Sequence, residues 1–137
     1  MAANTTPIFS RVAKIGFAHN ITAANTNKDG TGTVDEVFAA DAAEGSYLRY
    51  LAVRPKGANV ASVLRVFLNN GGSNTTASNN TLINEISLPA TSLTEVAALS
   101  GLVVPMELAL PAGWRVLVTI GTAVAGGYAV TGVGGDY

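Results

Sequence analysis

Eight short runs of apolar and β-branched residues, each closed by Gly, Asn, Asp or Pro, punctuate the chain and constrain its fold more than any other feature. Residues 12–22 alternate, with Ala13, Ile15, Phe17 and Ile21 expected on one face. A loop at 25–32 interrupts them, and Val34, Glu36 and Phe38 resume the pattern. Tyr47 to Val53 forms a third run, stopped by Pro55-Lys56-Gly57 because proline lacks the N–H that a strand ladder needs. Val60 to Leu68 is apolar on both faces apart from Ser62 and Arg65, the pattern of a central strand buried between layers. Leu82–Leu88, Leu102–Leu110, Trp114–Ile120 and Tyr128–Val133 complete the set.

Runs of this length, separated by polar turns, predict an all-β protein: an antiparallel two-sheet sandwich of about eight strands, jelly-roll-like, with an eight-stranded barrel as the alternative. Residues 1–10 are Asn/Thr-rich and read as an extended N-terminal arm, expected to pack on a neighbouring subunit, and residues 11–137 read as a single domain. Leu110-Pro-Ala-Gly113 has the form of a type I turn and predicts a hairpin between the sixth and seventh runs. Ser92 to Ser100 is the one helical candidate, with Ser92 and Glu95 at capping-box spacing.

Composition narrows the function classes. Charged residues make up 12% of the chain and hydrophobic ones 48%, where an ordinary globular chain carries about 25% charged residues. Disordered chains show the opposite balance. A net charge of −1 gives no basic footprint for phosphates, so nucleic acid is not an expected partner. The most apolar stretch, Leu99 to Leu110, is broken by Gly101, Pro105 and Glu107, so no membrane span is expected either. No basic-then-apolar leader opens the sequence, which points to synthesis in the cytoplasm without a signal peptide. The chain contains no cysteine, which removes thiolate metal sites and cysteine nucleophiles. What remains is a domain whose outside is largely covered by partners.

The chemistry-bearing residues are sparse. His19 is the only histidine, placed by alternation beside Phe17 and Ile21, and no nucleophile motif accompanies it, so no enzyme activity is expected. Asn25, Asn27, Asp29, Thr33 and Glu36 reproduce the spacing of calcium ligands in an EF-hand loop, with Gly30 at the required turn position. Asn25 stands where an anionic Asp is expected, Gly32 where an apolar residue belongs, and the flanks lack helical period. The plain reading is a Gly/Asn/Asp turn between strands, with no metal or cofactor. Tyr47, Tyr50, Phe67, Trp114 and Tyr128 sit within strand runs and read as core rather than as a sugar-stacking platform.

Three segments carry a likeness: Asn27-Lys-Asp-Gly-Thr-Gly-Thr-Val34, the Asn69–Leu82 loop leading to Ile86-Ser-Leu-Pro-Ala-Thr91, and the ending from Leu110-Pro-Ala-Gly-Trp114 to Gly134-Gly-Asp-Tyr137. They resemble small virion proteins of tailed bacteriophages. The resemblance implies a structural component of the particle: a head decoration or cement protein seated on the major capsid protein lattice, as a homotrimer, or else a tail- or fibre-associated component. A virion location follows, with contacts to the lattice and to its own copies expected from Thr5, Thr6, Pro7, Ile8, Phe9 and Tyr137. A carbohydrate-binding sandwich module is the competing class.

Overall fold

The computed structural model describes residues 10–137. They form strands β1 (Val12–Ile21), β2 (Asp35–Ala39), β3 (Ser46–Pro55), β4 (Ser62–Asn69), β5 (Asn80–Leu88), β6 (Leu102–Leu110), β7 (Arg115–Ile120) and β8 (Tyr128–Asp136), with a single 3-10 turn at Ala77–Asn79. Among the described residues no helix is long and apolar enough to cross a membrane. Two four-stranded sheets result, one ordered β1-β8-β3-β6 and the other β2-β7-β4-β5. The pairings β1–β8, β2–β7, β3–β6 and β4–β5 are all antiparallel. Nested pairs of this kind are one long hairpin rolled into two layers, which is the jelly roll. The barrel alternative fails because the two sheets remain separate.

Only β4 and β5 are consecutive in sequence and paired. The expected β6–β7 hairpin is therefore not formed: the two strands lie in different sheets, and the turn between them carries the chain from one layer to the other. Its hydrogen bond runs from the Trp114 N–H to the Pro111 carbonyl at 3.1 Å. Gly113 then occupies the third turn position with φ of 75°, the left-handed conformation that favours glycine. The Ser92–Ser100 helix is also absent. A nine-residue segment falls short of the roughly 12–15 residues at which isolated helices become stable, and it buries no apolar face, since Val96 is 95% exposed.

The core lies between the sheets. Leu48, Leu51 and Val53 of β3, with Tyr128 and Val130 of β8, meet Val116, Val118 and Ile120 of β7 and Leu64 and Val66 of β4, all essentially without solvent exposure. Each buried side chain of this size contributes about 1.5–3 kcal/mol. The layers close tightly beside β1 and β2. There a Cβ on Gly16 would stand 2.2 Å from the Val37 carbonyl oxygen, so only glycine permits the approach.

The second sheet is covered on its outer side over β4 and β7, which explains why β4 is apolar on both faces, while the outward residues of β5 are exposed. Phe67, Leu117 and Thr119 lie outside the main core yet are buried. Residues 22–34 cross above them: the Asn25 N–H donates to the Ile120 carbonyl at 2.8 Å, and Asn80 Nδ2 donates to the Asp29 carbonyl at 3.1 Å.

Candidate interaction surface

Among the described residues nothing equivalent covers the first sheet. Its register sets the outward residues in rows running from β1 through β8 and β3 to β6: Ala13–Gly135–Tyr47–Ala109, then Ile15–Val133–Tyr50–Pro105, then Phe17–Thr131–Ala52–Val103. No position in these rows is charged. The solvent face of an antiparallel sheet normally alternates to polar side chains, yet here Ile15 is 64%, Phe17 66% and Val103 62% exposed. Apolar patches of this kind mark contact sites.

Local irregularities produce the face. A bulge between Ala18 and Ile21 reverses the alternation of β1, so Ile21 and Ala18 point inward while Ile15 and Phe17 point outward. The expected common face of Ile15, Phe17 and Ile21 is corrected accordingly. A second irregularity between Leu48 and Tyr50 leaves Arg49 as an extra residue and turns Tyr50 outward beside Val133. Tyr47 and Tyr50 are therefore half-buried surface residues, not core, whereas Phe67 and Tyr128 are buried as expected. Opposite Arg49, β6 bulges at Met106 and Glu107, and Glu107 holds a φ of 47°. Non-glycine residues rarely adopt that conformation. Its carboxylate accepts a hydrogen bond from the Tyr47 hydroxyl, which ties the bulge to the face.

At the end of the face where Ser10 approaches Tyr137, the residues Ser10, Tyr47, Arg49, Ala109, Val133, Gly134 and Tyr137 line a cleft of about 790 Å³. Tyr137, an expected partner contact, is half-buried there, and its N–H donates to the Gly45 carbonyl at 3.3 Å. The other expected contacts, Thr5, Thr6, Pro7, Ile8 and Phe9, lie outside the described residues.

The calcium-like loop is tied by its own side chains. Asn25 Nδ2 donates to the carbonyls of Thr31 and Thr33 at 2.9 and 2.7 Å, and Asn25 Oδ1 accepts from the Asn27 N–H at 2.9 Å. Asn27 Nδ2 donates to Thr31 Oγ1 at 3.0 Å. Asp29 Oδ1 accepts from the Thr31 N–H and hydroxyl at 3.0 and 2.6 Å, which holds its pKa below the ordinary carboxylate value. Glu36 stands on β2, where it pairs with Arg115 at 3.4 Å. The loop gathers amide donors where a cation would need oxygens turned inward. Among the described residues no group of three His, Asp or Glu side chains is placed to hold a metal. A calorimetric calcium titration should give no heat at micromolar metal; heat there would overturn the plain-loop reading.

His19 is exposed on β1, and its carbonyl accepts from Lys56 Nζ at 3.0 Å. Burial pushes the pKa of Asp35 up, and the charge of His19 opposes the rise.

Sequence reasoning missed the outward rows because strict alternation cannot register a bulge. The signal that could have found them is the near absence of charge from β1, β6 and β8 at once. No protein-family model matches the chain, and no curated protein or solved structure shows significant similarity to it.

Proposed function

We propose that the chain is a non-enzymatic structural protein of a bacteriophage particle, one that decorates and stabilises the head by binding the major capsid protein lattice alongside copies of itself. The observation that supports this most is the set of three uncharged rows on the outer face of the β1-β8-β3-β6 sheet. A jelly roll with the central strands of one sheet covered by its own loops, and the other sheet uncovered among the described residues, has that covering supplied by neighbours. Centres of protein interfaces are depleted of charge in the same way. The sequence resemblance to virion proteins supplies the kind of assembly, and the low overall charge agrees with a surface spent on contacts.

Quantifying the proteins of purified particles of the virus that encodes this chain tests the reading. The expected result is a copy number matched to the capsid lattice, together with rebinding of purified protein to stripped heads. Presence only in isolated tails would favour a tail-associated component, and absence from particles would overturn both. Binding of the isolated protein to glycans through Tyr47 and Tyr50 would favour the carbohydrate-binding class instead.

A further inference from the structure

The chain does not enter β1 in a straight line. The β1–β8 register sets Val12 opposite Asp136, so a straight continuation would place Arg11 beside Tyr137 and Ser10 past the end of β8. Instead the chain bends at Arg11, and Ser10 stands on the outer side of Gly135. A Cβ on Gly135 would lie 2.5 Å from both the Cβ and the Oγ of Ser10, so glycine is what lets the chain cross the sheet there. The Arg11 N–H donates to the Asp136 carbonyl at 2.7 Å, which fixes the crossing point. Gly135 is buried in consequence, while Ala13 and Ala109 of the same outward row are exposed. Ser10 thus forms one wall of the cleft whose other walls include Tyr47, Ala109, Val133 and Tyr137.

We propose that Pro7, Ile8 and Phe9 of the same chain occupy this cleft, crossing β8 and β3 toward Ala109 on β6. These three residues directly precede Ser10, and all are apolar and uncharged. The cleft offers them apolar walls, and burial there removes their surface from water. Pro7 has no N–H to donate, so the run suits lying across strands rather than lengthening a ladder. The reach matches as well. From β8 to β6 is two strand spacings, about 10 Å, and three extended residues span about 10 Å.

Connectivity selects the chain's own segment over any other occupant. Phe9 is one peptide bond from a residue already in the wall, and a segment tethered so closely competes at an effective concentration of about millimolar. The second sheet is covered by the same device, since residues 22–34 of the chain cross above β7. The arm that the sequence assigns to a neighbouring subunit is therefore seated at home. Only the cleft end of the face is filled in this way: Ile15, Phe17 and Val103, further along the strands, stay open to a partner. The inference does not rest on the virion reading.

The chain has no cysteine, so thiols can be placed cleanly. One full-length variant carries Ile8→Cys with Ala109→Cys, and a second carries Ile8→Cys with Val103→Cys. Ala109 and Val103 are both exposed on β6, six residues or about 20 Å apart. Each variant is treated at high dilution with a short bifunctional maleimide, and the linked peptides are identified by mass. The 8-to-109 link should form within one chain at least tenfold faster than the 8-to-103 link. Circular dichroism matching that of the native chain establishes that both variants fold. Equal rates, or a faster link to position 103, overturn the proposal. Separate Ile8→Cys and Ala109→Cys chains are also mixed: covalent dimers forming as fast as the link within one chain would assign the cleft to a neighbour's segment and overturn it too. All of these results are read on purified protein, so none of them bears on the virion reading.

Discussion

Thr119 shows how residue-scale chemistry can be read from the fold. It is buried beneath the loop at 22–34, and its Oγ1 has no hydrogen-bond partner among the described residues. A buried hydroxyl without a partner costs roughly 1–3 kcal/mol. Thr119→Val keeps the shape and removes the orphan, so chemical denaturation should show a gain of about 1 kcal/mol, and a loss would mean that the hydroxyl is satisfied. Asn25 is the opposite case, since its amide satisfies two loop carbonyls. Asn25→Ala strands them and should cost about 2 kcal/mol. Asp41 sets a pH dependence. Its Oδ1 accepts from the Ala43 and Glu44 N–H groups at 2.9 and 2.8 Å, which lowers its pKa from 3.8. An acid with a depressed folded pKa stabilises the fold above its unfolded value, and that contribution disappears as pH falls through the folded value. Asp29 adds to the same acid-side loss. Asp35, raised by burial, works the other way, its contribution falling as pH rises from its unfolded value through its folded one. Carboxyl titration by NMR should place Asp41 below 3.8; a midpoint at or above that value contradicts the turn's geometry.

Among the elements, β1 is where sequence and structure part. Its ten residues read as one alternating strand, and the strand exists, but the bulge before Ile21 exchanges which apolar residues reach the core. Alternation predicts the existence of a strand well because it follows from the backbone. It predicts the face poorly, because one extra residue reverses every side chain. The same reason hid Tyr50 behind the irregularity at Arg49. By contrast, Val60 to Leu68 was legible as a central strand because apolarity on both faces does not depend on register. The loops were legible as loops from their Asn and Gly content, but their role as the second sheet's cover was not, since amide contacts 42 residues apart leave no local pattern: Asn74 Nδ2 donates to the carbonyl of Gly32 at 3.0 Å. Gly16 gives the sharpest element-scale prediction. Gly16→Ala drives a Cβ into the Val37 carbonyl and must separate β1 from β2. A loss of about 2 kcal/mol or more is expected from such overpacking, read by denaturant unfolding, and a neutral variant would show that the layers close less tightly.

For the whole molecule, the two sheets have different tasks. The β2-β7-β4-β5 sheet is covered over β4 and β7 by the chain's own loops and stabilises the fold. The β1-β8-β3-β6 sheet offers an outer face with three uncharged rows, and Arg49 and Glu107 stand at the bulges between the first two. The low charge of the sequence is thus concentrated in a place with a geometric meaning. Sedimentation equilibrium of the full chain over a concentration series tests this most directly, with Phe17→Lys measured beside it. The account predicts that the native chain associates beyond its 13.9 kDa monomer mass as concentration rises, and that Phe17→Lys stays a monomer with an unchanged melting temperature. A native chain that remains monomeric throughout, or a Phe17→Lys variant that associates as the native chain does, would contradict it.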